Sequence, residues 1–545
     1  MASIFHKTLS RRDFLAISAM AAGAAAFDWR GLKALAQTTG PKSATPVVII
    51  GAGLGALTAG AFLAKNGYPV TLLEQHDIPG GYATSFDRAG GRFTFEVSLH
   101  STTARGGATR EALEACGVLD QVKAVPLPEM CRQVLPGHDL TWPQADPPAL
   151  IGLLSRHFPQ EAQGIQGFIG TMLKVSEESE GIPPKMGLFD KMMFPKRCPT
   201  MWQVRELTLA QLLDQHLQDP RLKGILGGFW GYYGLPPSRL SAFYYAVATG
   251  GYLRHGGYYY QPRSQELSNA LVRVIEAQGG QVLLSTEAAA ILLKDGAVSG
   301  VRDQAGKTYP AQAVISGASA PATFGRLLPP EAVPADYRAK LAGYRASLSS
   351  FVVWLGLNRA IAGQVPGYEI FLNDGYDPEA DYQASLAADA EKAGLGIAIY
   401  DNIFAGYSRP GTSTVTVMMC SGFEPWRPYL EDYLAGRKEA YRRHKDRLAD
   451  ILVSRAERVI PGLGGMIEVR EAATPLTNLR YTKNPEGAIY GYEQSLDNAF
   501  MNRLPNRTPV KGLYLASAWG DPGGGFTGAQ MAGIKACRLL LEDLA

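Results

Sequence analysis

The sequence predicts an α/β chain: a Rossmann-type dinucleotide-binding domain interleaved with an α+β substrate domain that carries an antiparallel sheet and a helical part. Three observations predict it. Residues 45–85 run strand, glycine turn, helix, strand, acid in the order a βαβ unit requires. A second set of strands and a helix over residues 265–317 has the same buried β-branched character. Residues 513–533 form a third such piece, an apolar strand feeding a glycine-rich turn and then a helix.

In chain order, Ser10-Arg11-Arg12-Asp13-Phe14-Leu15 precedes a mildly apolar run over residues 14–27 and then Ala34-Leu35-Ala36, a small-x-small cleavage pattern. This resembles a twin-arginine export signal, read by that export machinery, so residues 1–36 are expected to be excluded from the fold and the protein to be periplasmic. The run is too short for a membrane span. A basic amphipathic N-terminal helix is the plainer alternative.

The βαβ unit follows. Val47, Val48, Ile49 and Ile50 read as a buried strand leading into Gly51-Ala52-Gly53-Leu54-Gly55-Ala56, the GxGxxG/A fingerprint. Gly51 makes the tight turn, Gly53 lets the backbone approach a pyrophosphate, and Gly55 completes the glycine set. Small Ala56 lets the helix over residues 54–66 pack on the strand. A strand over residues 70–73 ends at Glu74, placed to accept hydrogen bonds from an adenosine ribose. The unit alone does not separate NAD from FAD.

The doublet in Pro79-Gly80-Gly81-Tyr82, followed by Gly90-Gly91-Arg92-Phe93-Thr94-Phe95-Glu96, resembles the flavoprotein superfamily that includes amine oxidases and phytoene desaturases. That resemblance implies FAD, with the doublet beside it. No His or Cys sits in an evident flavin-attachment motif, so the FAD is expected to be non-covalent.

Residues 111–173 read as mainly helical. Residues 185–197 alternate Met and Phe with Lys and Arg, which fits either a segment lying in a membrane interface or a core helix with a solvated basic edge. Residues 229–260 carry eleven aromatics, either the wall of an elongated apolar site or aromatic core. Then come a helix over 265–278, strands over 282–284, 287–293 and 298–301 with a Lys294-Asp295-Gly296 hairpin, and a strand over 313–317. Strands over 348–357 and 413–419 are assigned to the antiparallel sheet, and residues 368–405 read as a polar connection.

From Glu471 onward stand Arg480-Tyr481-Thr482-Lys483-Asn484-Pro485-Glu486-Gly487-Ala488-Ile489-Tyr490-Gly491 and Asp521-Pro522-Gly523-Gly524-Gly525-Phe526-Thr527-Gly528. With the earlier motifs, these resemble the phytoene desaturase, carotenoid isomerase and retinol saturase family of FAD proteins. The resemblance implies cofactor roles for Gly51, Gly53, Gly55, Glu74, Gly80, Gly81, Gly524, Gly525, Thr527 and Gly528, with Ala56, Ala288 and Asp521 beside them. Two departures bear on substrate and flavin chemistry: Tyr259-Tyr260-Gln261-Pro262-Arg263-Ser264-Gln265 lacks a glycine pair, and Asp521 stands where desaturases carry an uncharged residue or His. The implied divisions are the signal at 1–36, cofactor-domain pieces at 45–110, 256–330 and 471–545, an aromatic-rich helical region at 111–255, and a substrate domain at 331–470.

Composition narrows the function. A net charge of +3 with no basic tract gives no case for nucleic acid. The five cysteines, Cys116, Cys131, Cys198, Cys420 and Cys537, make no metal-ligand spacing, so no metal site is expected. FAD carries the redox chemistry and the protein supplies alignment, a dry pocket and any proton. Candidates for proton transfer are Glu96, His100 and Tyr490. The expected function is a desaturase, saturase or redox-neutral isomerase acting on carbon–carbon double bonds of a lipophilic polyene, isoprenoid or fatty-acyl substrate. An amine or amino-acid oxidase, or a non-catalytic flavoprotein binding a lipid or a partner, are the alternatives.

Overall fold

The computed structural model describes residues 32, 35–36, 44–98, 101–182, 188–499 and 502–545. Val47–Ile50 is the centre of a five-stranded parallel sheet, with Val70–Leu73 and then Gln281–Leu283 on one side and Ala313–Ser316 and then Leu513–Leu515 on the other. All four residues of the central strand are buried, as a strand covered by helices on both faces requires. Helix Leu54–Lys65 packs against the C-terminal helix Gly525–Leu544 so closely that a Cβ on Gly55 would lie 2.8 Å from the Ala529 carbonyl, and one on Gly533 2.1 Å from the Gly55 carbonyl. Gly55 therefore serves helix packing, and Ala56, fully buried against Gly317, does the same.

A three-stranded antiparallel ribbon, Ala288–Lys294, Ala297–Asp303 and Thr308–Pro310, turns through Asp295 and Gly296. Both have positive φ, as a two-residue hairpin of matching twist needs.

The substrate domain is built on a seven-stranded sheet. Its order is Ile467–Ala473, Ser349–Leu357, Ser413–Ser421, Leu395–Ala398, Glu369–Leu372, Cys131–Leu135 and His138–Trp142. All its pairings are antiparallel except Glu369–Leu372 on Cys131–Leu135. Strand Ser349–Leu357 is buried on both faces: Phe351, Val353, Leu355 and Leu357 enter one core, while Val352 and Trp354 pack on Phe93 and Phe95 of the strand Phe93–Glu96.

Two expectations are corrected. The region expected to be helical contains a strand, Lys123–Pro126, and the hairpin Cys131–Trp142, whose turn at Gly137 (φ 76°) breaks a helical period. The polar connection over 368–405 holds two strands of the large sheet and the helix Pro378–Leu386, because Ile370, Leu372, Leu395 and Ile397 have core to enter that local polarity conceals. Of the two readings of the aromatics of 229–260, the core reading holds for Phe229, Trp230, Tyr245, Tyr259 and Tyr260, which are buried in and around Gly228–Tyr232, Ala242–His255 and Tyr258–Gln261.

Burial also reaches back into the stretch read as a signal, since Leu32 and Ala36 lie in the core beside the fingerprint helix. On helix Leu188–Arg197, Phe189 and Met192 are exposed while Phe194 is buried. No helix among the described residues is long and apolar enough to cross a membrane. All five cysteines are free thiols.

Candidate active site

The parallel sheet, the large sheet and the C-terminal turn enclose one cleft of about 710 Å³. At one end the wall is main chain: Gly51, Gly53, Gly80, Gly81 and Gly525. A Cβ on Gly53 would meet nothing within 4 Å, and neither would one on Gly525, so glycine leaves backbone bare to whatever enters. Gly51 takes φ 86° and donates its N–H to the Leu73 carbonyl at 2.7 Å, joining the first strand end to the second. The Gly80 N–H donates to the Ala52 carbonyl at 2.7 Å and docks the doublet on the fingerprint turn.

Two helices begin at this cleft, Leu54–Lys65 after Gly53 and Gly525–Leu544 after Gly524. Neither has a side-chain cap or an acid in its first turn. Helix N-terminal N–H groups without protein acceptors, converging with the positive ends of two helix dipoles, fit a pyrophosphate. Glu74 fits the neighbouring ribose. Its Oε2 accepts the Ala52 N–H at 2.5 Å and its Oε1 accepts the His76 N–H at 2.8 Å, which fixes the carboxylate in the wall. Burial pushes its pKa up, against those backbone hydrogen bonds. The bare glycines, the uncapped helix starts and the fixed acid together suit FAD.

Other residues expected at the cofactor divide by position. Ala288 lines the cleft beside Glu287, whose carboxylate pairs with Arg326 at 2.7 Å. Asp521, Gly524, Thr527 and Gly528 are not part of the wall. Asp521 pairs with Lys535 of the C-terminal helix at 2.6 Å, and the Thr527 hydroxyl bonds that of Thr109 at 2.7 Å. A Cβ on Gly524 would lie 2.9 Å from the Tyr490 carbonyl, and one on Gly528 2.7 Å from that of Gly523, so both are small for the sake of the loop behind the wall.

The residues considered for proton transfer also separate. His100 lies outside the described residues. Tyr490 lines the cleft, but its hydroxyl donates to the Gly231 carbonyl at 2.9 Å and burial holds its pKa well above the usual phenol value. It is a neutral wall residue. Glu96 lines the cleft with 1% of its surface exposed, accepting the Ser264 N–H at 2.8 Å and the Ser264 hydroxyl at 2.5 Å. It thus completes the start of helix Ser264–Ala277, which has no side-chain cap at its own N-cap. Burial raises its pKa, opposed by the Ser264 hydrogen bonds and by the charge of Arg263.

A raised carboxyl pKa means that the folded state holds the proton to higher pH than the unfolded state. Glu96 therefore contributes less to stability as pH rises from the ordinary carboxylate range to its folded pKa, and the loss is complete above that. Glu96→Gln, which cannot ionise, should gain stability relative to wild type as pH rises from about 4 to about 8. Thermal midpoints of both proteins across that range measure it, and parallel curves would assign the carboxyl an ordinary pKa.

Several site residues have no motif to announce them. Phe86, Val352, Trp354 and Met418 form an apolar stretch of the wall. Trp354 and Val352 alternate with the core residues of a strand that is legible in the sequence, so the strand's other face was the available signal. Trp519 donates its indole N–H to Asn484 Oδ1 at 3.2 Å.

Arg503 has no local signal at all. It is 2% exposed, and its guanidinium donates to the carbonyls of Tyr492 and Glu493 (each 2.8 Å), Gly520 (3.2 Å) and Ala518 (2.5 Å). It ties the segment after Tyr490 to the segment before the glycine turn. Burial lowers its pKa to about 10.

Known proteins share this architecture. The solved cyclohexylamine oxidase from Brevibacterium oxydans IH-35A aligns at TM-score 0.57 and 14% identity over 92% of this chain and 98% of its own. An oxidoreductase from Methanosarcina mazei aligns at TM-score 0.59 and 16% identity over 91% and 99%. In sequence, the chain is 25% identical over 509 residues to an all-trans-retinol 13,14-reductase of Danio rerio, covering 86% of this chain and 81% of the relative. It is 24% identical over 515 residues to a chloroplastic prolycopene isomerase 1 of an Oncidium hybrid cultivar, covering 91% and 84%. The sequence profile of the flavin containing amine oxidoreductases matches residues 57–541. On that match, together with the glycine cradle and Glu74, the chain belongs to the flavin containing amine oxidoreductase family and is an FAD-dependent oxidoreductase.

Proposed function

We propose that the protein desaturates, saturates or isomerises carbon–carbon double bonds of a lipophilic polyene, isoprenoid or fatty-acyl substrate. The observation that carries this is the composition of the wall. Phe86, Val352, Trp354 and Met418 give the cofactor cradle an apolar neighbour, and the acids lining the cleft are engaged by the protein. Glu74 accepts two main-chain N–H groups, Glu96 binds Ser264, Glu287 pairs with Arg326, and Glu471 pairs with Arg88 at 3.0 Å. An amine is a cation near neutral pH and finds no free carboxylate here, which disfavours the amine-oxidase reading. The retinol reductase and prolycopene isomerase relatives support a polyene.

FAD, when bound, supplies or accepts the electron pair. The chain's own residues do the rest. The main chain of Gly53, Gly81 and Gly525, with the two helix starts, would hold the pyrophosphate non-covalently, and Glu74 would accept the ribose hydroxyls. The apolar stretch excludes water and orients an extended chain. Glu96 keeps a proton on its carboxyl to higher pH than an ordinary glutamate and would be the proton donor beside the apolar stretch.

The experiment is anaerobic mixing of purified holoprotein with all-trans-retinol, a cis-polyene and an unsaturated fatty acid, following flavin absorbance and separating products by chromatography. Bleaching, re-oxidation or a changed double-bond pattern with one of them is expected. In a parallel aerobic assay with amines, peroxide formation without change in any polyene would assign the protein to the amine oxidases, and no turnover in either assay would assign it a binding role.

We also propose export by the twin-arginine route, on Arg11-Arg12 and the run that follows. Lysine at both positions should leave the precursor in the cytoplasm, and periplasmic accumulation of that variant would refute the assignment.

A further inference from the structure

The apolar stretch of the cleft opens toward a cluster of cations. Lys438, Arg442, Lys445 and Arg480 all line the cleft, and among the described residues none of the four meets a carboxylate. The one acid of this part of the wall, Glu471, is taken by Arg88.

Their placement is fixed by aromatic rings and main chain. The Lys438 ammonium stands 4.3 Å from the centre of the Tyr433 ring, the Arg480 guanidinium 5.2 Å from that of Tyr481, and the Lys445 ammonium 3.4 Å from the Ala472 carbonyl. The helix that carries Arg442 and Lys445, Glu439–Ala456, is bonded to the neighbouring helix start through the Tyr441 hydroxyl and Thr474 Oγ1 at 3.1 Å. Lys438, at the start of helix Glu439–Ala456, Arg442 and Lys445 follow one another at spacings of four and three residues, on one side of the helix, and share the cleft wall with Arg480. The Lys438 ammonium is held below its usual pKa by burial and then by the charges of Arg480 and Arg442. Like charges brought together with no acid between them raise the free energy of the protein alone and lower it when an anion arrives.

The cluster is one strand away from the apolar floor. Ala472 and Ala473 belong to the strand Ile467–Ala473, in which Ala473 stands opposite Val352 and Glu471 opposite Trp354. An extended molecule with its anionic end among the cations would lie directly over Val352 and Trp354, with its chain running toward the glycine cradle.

We propose that the cleft takes an amphipathic substrate, a long unsaturated chain ending in a carboxylate, and that Lys438, Arg442, Lys445 and Arg480 bind that carboxylate. This rests on the lipophilic-substrate reading above and narrows it to chains that carry a free carboxylate. The cationic mouth also sets the direction of binding: the charged end stays at the rim and the double bonds enter.

The test uses holoprotein and cis-parinaric acid, a fluorescent conjugated polyene acid, beside its methyl ester. The acid should bind wild type roughly tenfold more tightly than the ester, the sum of several partly screened ion pairs. That preference should shrink as salt is raised from about 0.02 M to about 0.3 M, over which the Debye length falls from about 20 Å to about 6 Å. In Lys438→Gln/Arg442→Gln the preference for the acid should fall to about threefold or less, with ester affinity and FAD content unchanged.

Equal binding of acid and ester to wild type would overturn the proposal while leaving the lipophilic reading intact, whereas binding of neither would count against both. Loss of FAD from the double variant would assign the cations to the cofactor. Preference for phosphatidylglycerol over phosphatidylcholine vesicles, without preference for the dispersed acid, would assign them to a membrane surface.

Discussion

Replacing Arg503 by methionine should destabilise the holoprotein by ~3–5 kcal/mol, the partly relaxed cost of leaving several buried carbonyls without a donor. The side chain is 2% exposed, and methionine can fill much of its volume but none of its hydrogen bonds. Four main-chain carbonyls, those of Tyr492, Glu493, Ala518 and Gly520, would lose their donor together. Each buried acceptor left unmatched costs about 1–3 kcal/mol before relaxation and water entry return part of it. The damage would be local at first. The two segments that Arg503 ties together carry Tyr490 and Trp519 in the cleft wall and lead to Gly525, so the cofactor cradle should loosen before the core melts.

Urea denaturation followed by flavin release and by circular dichroism checks this, with release in the variant moving to lower urea and preceding loss of secondary structure. Arg503→Lys, which keeps the charge and some donors, should fall between. A methionine variant within about 1 kcal/mol of wild type would show that water can replace the guanidinium.

The second large effect is expected at Glu74. Glu74→Ala should weaken FAD binding by ~1.5–3 kcal/mol, roughly 10- to 150-fold, because charge-assisted hydrogen bonds to the ribose hydroxyls are lost. The same oxygens accept the Ala52 and His76 N–H groups, so alanine also frees the fingerprint turn that the cofactor presses against. Glu74→Gln keeps an acceptor oxygen and removes the charge, and it should lose less. Titrating FAD into deflavinated wild type and both variants gives the order, with circular dichroism showing that each is folded. An ordinary surface carboxylate would change affinity by no more than about half a kcal/mol, and equal dissociation constants would remove Glu74 from the site.

What the sequence by itself determined is the cofactor half of the protein. The glycines from Gly51 to Gly55, the strand Val70–Leu73 ending at Glu74, the Gly80-Gly81 doublet and the hairpin at Asp295-Gly296 are local solutions to local requirements. A turn needs positive φ, a bare backbone needs no Cβ, and a buried strand needs a β-branched run, so each leaves its mark within a few residues.

Only the tertiary structure decided the rest. The hairpin Cys131–Trp142 and the strands Glu369–Leu372 and Leu395–Ala398 take their conformation from a sheet whose members come from across the substrate domain. Glu96 caps a helix that starts 168 residues away, and Arg503 holds carbonyls on both sides of itself. The four cations of the cleft mouth come from two elements separated by the strand Ile467–Ala473. Burial, hydrogen-bond partners and charge clustering are properties of where the chain returns to in space, and no periodicity in the sequence encodes that return.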